Sequence, residues 1–130
     1  PYPWQVEQTV KAIVSLLGIE ELDYAVCYQS RVGRLEWIGP STEEEIARAG
    51  ADGVPLVVAP VAFVSEHSET LVELDIEYAH LAKEKGVPEY VRVPALGCDA
   101  SFIEALSAFS RKAKTHGEGV WPASGNAICA

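Results

Sequence analysis

Ionisable chemistry is concentrated in residues 65–78, where His67 lies among Glu66, Glu69, Glu73, Asp75 and Glu77. A neutral imidazole accepts a proton or binds a metal near physiological pH. Carboxylates suit hard or borderline cations and pass protons to one another. His67 and Glu69 are therefore a candidate catalytic pair for proton abstraction or metal handling. Glu66, Glu73 and Glu77 are candidates for a proton or metal relay toward solvent. If residues 68–84 are helical, Glu69, Glu73 and Glu77 recur at i, i+4 and i+8 and share one face, with His80 close to the stripe. Like charges so spaced destabilise a helix by roughly 0.2–0.5 kcal/mol per pair, so the row suggests that something positive, metal or proton, passes there. A plainer reading also fits. The helix macrodipole favours acids such as Glu66 and Glu69 near an N-terminus, and a charge run is commonly a solvated face, with Leu71, Leu74, Tyr78 and Leu81 as the core stripe behind it.

The elements around this stretch alternate. Val6, Val10, Ile13, Val14 and Leu17 have helical spacing over residues 4–17, and Gly18 is the stop. Asp23 to Tyr28 reads as a strand, and residues 31–40, with two Gly and a Pro, as a loop. Ser41 or Thr42 caps the next helix, with Glu44 or Glu45 completing a capping box. That helix ends near Gly50 or Gly53. Val54 to Pro60 is almost wholly apolar, which predicts a strand buried on both faces. The acidic helix then runs to Gly86, Glu89 to Val93 is a third strand, and Asp99 or Ser101 caps a last helix to about Lys114. Ile103, Leu106 and Phe109 form its expected inner face. The order α-β-α-β-α-β-α predicts an α/β fold, a three-layer arrangement with a parallel sheet between helices. In open α/β sheets a ligand binds at the carboxyl ends of the strands, where His67 falls. Residues 1–114 read as one α/β domain and 115–130 as a tail.

Residues 65–78 resemble the C-terminal signature of the ferrochelatases, the enzymes that insert Fe2+ into protoporphyrin IX. Three further motifs follow the family's order. Pro1-Tyr2-Pro3 resembles its Asp-Pro-Tyr-Pro turn. Gln29-Ser30-Arg31-Val32-Gly33, followed by Trp37-Ile38-Gly39-Pro40, resembles its loop. Pro94-Ala95-Leu96, followed by Phe102, resembles its last strand and helix. The likeness covers about residues 1–113. It implies the chelatase fold, and it implies metallation of a porphyrin with release of two protons. The motif's His falls on His67, its essential acid on Glu69 and its relay acids on Glu73 and Glu77; Glu66 stands where the family usually has Asp. The resemblance places Trp37 at the lip of a porphyrin cleft, with Ser30 and Val32 on the same wall and Phe63 as a second aromatic. Arg31 and Arg34 could meet propionates. A second essential His, in a Ser-His-Ser-Leu-Pro-like motif of the family's N-terminal half, has no counterpart here. The chain therefore resembles the C-terminal half, expected to be inactive alone and to need the N-terminal half as its partner. A cobalt or nickel tetrapyrrole chelatase and a non-catalytic partner-binding domain stay open as alternatives.

Composition narrows the setting. The 130 residues carry a formal charge of −9, which argues against nucleic acid and against attraction to anionic lipid. No apolar run reaches about 18 residues. No signal peptide is evident, and Cys27, Cys98 and Cys129 are odd in number and widely spaced, which favours a reducing, cytoplasmic setting. The resemblance leaves room for a homodimer and for peripheral contact at the inner face of the membrane. Some relatives hold a [2Fe-2S] cluster through clustered Cys, and this spacing makes one doubtful. The start at Pro1 reads as a piece of a longer protein.

Overall fold

A computed structural model describes residues 2–29 and 38–116. Contacts within the chain divide it into two units, residues 1–95 and 96–130. Expectations for Ser30, Val32, Trp37, Arg31 and Arg34, and for Cys129, lie outside the described residues.

In the first unit, helix α1 (Tyr2–Leu17) ends at Gly18, whose φ of 62° takes the left-handed turn a Cβ disfavours. Helix α2 (Thr42–Asp52) starts with the expected capping box. Ser41 accepts from the Glu44 N–H at 3.2 Å, and the Glu44 carboxylate accepts from the Ser41 N–H at 2.8 Å. Gly53 ends α2 in the left-handed conformation. Strand β1 (Leu56–Val58) pairs in parallel with β2 (Tyr90–Arg92), Val57 opposite Val91. Between them run a π-helix (Glu69–Tyr78) and helix α3 (Ala79–Lys85), closed by Gly86.

The α/β class and the parallel sheet are as expected, and three particulars differ. Asp23 to Tyr28 is extended but enters only one bridge, Tyr28 with Ser41. A strand needs a run of ladder bonds, and among the described residues that segment finds one partner position. Residues 54–60 are not buried on both faces. Leu56 and Val58 turn toward the core, whereas Val57 is 65% exposed, because β1 has helices of its own unit against one side only. The acidic segment is not an α-helix throughout. Its first ten residues wind with i→i+5 bonding, a rare conformation that recurs at functional sites.

That winding moves the buried stripe. Thr70, Leu74, Tyr78 and Ala82 are buried, recurring every fourth residue, and Leu71, expected in the core, is 49% exposed. Ile46 and Ala49 of α2 meet Leu74, Tyr78, Ala82 and Val87, with Leu56, Val58, Leu81 and Tyr90 packed around them. Fully buried side chains such as Ile46 and Leu74 each contribute about 1.5–3 kcal/mol. Gly50 lets α2 approach this closely. A Cβ there would lie 2.2 Å from the Lys85 carbonyl oxygen.

In the second unit, Asp99 caps helix α4 (Ala100–His116), its Oδ1 accepting from the Ser101 and Phe102 N–H groups at 2.9 and 3.2 Å. Ile103, Leu106 and Phe109, expected to face inward, are exposed. Among the described residues of its unit, α4 has no second helix or strand to cover them. Among the described residues no helix is long and apolar enough to cross a membrane.

Candidate active site

The chain leaves the carboxyl end of β1 and turns through residues 61–67 into the π-helix. Thr70, fully buried, pins that turn. Its Oγ1 accepts from the His67 N–H at 2.9 Å and lies 2.9 Å from the His67 carbonyl, and the same carbonyl accepts the Leu71 N–H at 2.8 Å. His67 thus has a fixed backbone at the start of a helix. Its ring meets the edge of Phe63, centroids 4.4 Å apart at 79°. Nδ1 accepts the Glu69 N–H at 3.2 Å and lies 3.6 Å from the Glu69 carboxylate. With Nδ1 accepting, the neutral ring carries its proton on Nε2. The two residues singled out as a pair are therefore together, half-buried, with Phe63 against them.

Behind this pair the carboxylates divide. Glu73 is held at both oxygens: Gln29 Nε2 donates to Oε2 at 3.0 Å, and the Tyr78 hydroxyl lies 3.0 Å from Oε1. Glu73 and Tyr78 are five residues apart, the spacing that a π-turn stacks. Gln29 also donates to the Glu69 carbonyl at 3.3 Å. The same Tyr78 hydroxyl is 3.0 Å from Glu43 Oε1 on α2. Burial first, and then Glu73 and Glu43, push the Tyr78 phenol well above its ordinary range.

Glu66 and Asp75 face Arg92, the last residue of β2. Its guanidinium donates to both Asp75 oxygens at 2.6 and 2.5 Å and to Glu66 at 2.7 Å, and its side chain is 11% exposed. The Ala95 N–H also donates to Glu66 at 2.9 Å. The Thr70 hydroxyl, Arg92 and that amide hold the Glu66 carboxyl down at about 2. Tyr90 donates to the Leu74 carbonyl at 2.9 Å, and burial, helped by Asp75, pushes its phenol up to about 12. Glu77, the third member of the row, is exposed on the outer side.

Sequence reasoning missed Gln29, Glu43, Tyr78, Thr70 and Arg92 as parts of this site. A Thr three residues after the His carries a capping signal that could have been read; contacts such as Glu43 with Tyr78, 35 positions apart, carry none. Among the described residues no three His, Cys, Asp or Glu side chains converge to cage a metal ion, so His67 and Glu69 offer a two-donor contact. Of the described thiols, Cys27 is half-buried, its thiol pushed up by burial, and Cys98 is exposed in the other unit.

A family model described as Ferrochelatase matches residues 1–114. The chain is 59% identical over 107 residues to the ferrochelatase of Pelagibacter ubique (strain HTCC1062), an overlap covering 82% of this chain and 31% of that protein. It is 56% identical to the ferrochelatase of Phenylobacterium zucineum (strain HLK1) and 53% to that of Wolbachia sp. subsp. Brugia malayi (strain TRS), over the same shares of each chain. The chain spans about a third of the length of these curated relatives.

Proposed function

This chain belongs to the ferrochelatase family, and on that premise we propose that it is the C-terminal part of an enzyme, a lyase in class, that inserts Fe2+ into protoporphyrin IX and releases two protons. The observation that carries the reading is the His67–Glu69 pair, joined through Nδ1 at the carboxyl end of β1. Insertion requires removing the two pyrrole protons while a divalent cation is delivered. His67 accepts a proton at Nδ1, exchanging the Glu69 N–H contact for one with the Glu69 carboxylate 3.6 Å away. Protons or metal then pass by way of Glu73, with the exposed Glu77 as the exit that the sequence stripe suggests. Glu66, assigned to that relay from sequence, acts in this reading by holding the turn, since a carboxyl kept at about 2 stays ionised at neutral pH.

To Phe63, Trp37, Ser30 and Val32 we assign the porphyrin contacts that the family resemblance implies, and a flat macrocycle needs a second wall facing them. We assign that wall to the N-terminal part of the enzyme, so this chain alone binds divalent cations weakly and does not turn over. We assign the protein a cytoplasmic setting.

The test is steady-state metal insertion, with Fe2+ or Zn2+, by the full-length protein. Glu69→Gln lowers kcat by about 10²-fold or more, with porphyrin affinity held. Wild-type kcat in that variant would remove Glu69 from the chemistry.

A further inference from the structure

Glu73, Tyr78 and Glu43 share one hydroxyl, and we infer that the proton path leaves the π-helix sideways at Glu73, through the Tyr78 hydroxyl, to Glu43 on α2. This deepens the reading above and rests on it. The phenol oxygen lies 3.0 Å from Glu73 Oε1 and 3.0 Å from Glu43 Oε1. A phenol has one proton and can donate to only one of two carboxylates. The other contact becomes a hydrogen bond only when a carboxyl brings a proton of its own. The arrangement is therefore completed by the species a chelatase must dispose of.

The transfer balances. Glu73, having received a proton, gives it to the Tyr78 oxygen as the Tyr78 O–H proton passes to Glu43. The phenol is neutral before and after, Glu73 is again a carboxylate, and Glu43, on the exposed side of α2, releases the proton to water. Burial and the two carboxylates push the phenol well above its ordinary range, which keeps tyrosinate off the path and favours the concerted exchange. Gln29, holding the other Glu73 oxygen at 3.0 Å, keeps Oε1 turned to Tyr78. The stripe read from sequence pointed instead along the helix to Glu77, which lies on the exposed outer side, whereas Glu73 is joined to Glu43 by an unbroken contact through Tyr78.

Tyr78 and Glu43 are positioning and relay residues, since neither reaches the substrate pair directly. Two measurements on the full-length protein test them. In metal insertion, Tyr78→Phe and Glu43→Gln each lower kcat about three- to tenfold with porphyrin KM unchanged, and the double variant falls no further than either single one. Glu77→Gln loses less than Glu43→Gln. Wild-type kcat in Tyr78→Phe, additive losses, or a larger loss in Glu77→Gln would overturn the route. Independently of turnover, the Tyr78 hydroxyl proton, followed by NMR with labelled tyrosine, exchanges with water about tenfold more slowly in Glu43→Gln. Unchanged exchange would overturn the Tyr78–Glu43 step. Absence of insertion by the wild type would strike the reading of the site, and exchange alone would then decide this step.

Discussion

Arg92 meets Glu66 and Asp75 at 2.5–2.7 Å, whereas Glu73 and Glu43 meet the neutral groups Gln29 and Tyr78 at 3.0 Å. Both sets of carboxylates border one π-helix. On the first side one cation, bidentate on Asp75, offsets half of the charge of two carboxylates and ties the helix to the end of β2. The Glu66 carboxylate so held stays ionised and holds geometry. On the second side no cation arrives among the described residues, and the neutral donors Gln29 and Tyr78 meet the acids instead. Where a chain places its acids matters less than what faces them. The same residue type is a clamp opposite Arg92 and, in the route proposed above, a proton carrier opposite Tyr78.

Single substitutions separate the two sides of the π-helix. His67→Ala, at the head of both sides, lowers kcat of the full-length protein by about 10²-fold or more while porphyrin affinity changes little. A loss confined to porphyrin affinity would make His67 part of the wall only. Gly50→Ala forces a Cβ against the Lys85 carbonyl and pushes α2 away, which costs about 1–3 kcal/mol in thermal unfolding. It also parts Glu43 from Tyr78 while leaving the Arg92 side untouched. An unchanged melting temperature would show that α2 does not sit this close.

Arg92→Gln acts on the other side. It removes the charge-assisted bonds to Asp75 and Glu66 and costs about 1–2 kcal/mol of stability. Arg92→Lys recovers little, since an ammonium cannot form the bidentate pair. Full recovery by Lys would reduce the clamp to a point charge.

Acid sharpens the contrast further. The Glu66 carboxyl is held at about 2 in the folded chain against an ordinary 4.5. Its stabilising share is therefore present above 4.5 and is lost as pH falls from there toward 2. Glu66→Gln flattens the dependence of the melting temperature on pH across that window. An equally steep variant would assign the acid sensitivity to other carboxyls.

Much of the frame was legible. Helix α1, the Ser41–Glu44 capping box and the stops at Gly53 and Gly86 follow from rules acting within four or five residues, and those rules are written in neighbouring positions. The closeness of His67 and Glu69 was legible for the same reason. The role of Gly50 was not. It reads as a helix stop, and it is a point of helix–helix contact that only the position of Lys85 reveals.

By itself, the sequence determined the order of elements, the apolar strand ahead of the acidic segment, and the presence of an imidazole and carboxylates at the strand's carboxyl end. Tertiary structure decided how the acidic segment winds and which acids work together. Anchors from elsewhere in the chain, Tyr90 on the Leu74 carbonyl and Arg92 on Asp75, hold a π-helix where 3.6-residue spacing predicts an α-helix. That change stacks Tyr78 on Glu73 and turns Thr70 rather than Leu71 into the core. Glu43 and Gln29 then reach the site from 35 and 44 positions away. Spacing along a chain fixes only what one or two turns can bring together, and contacts between elements are chosen by how their buried faces pack.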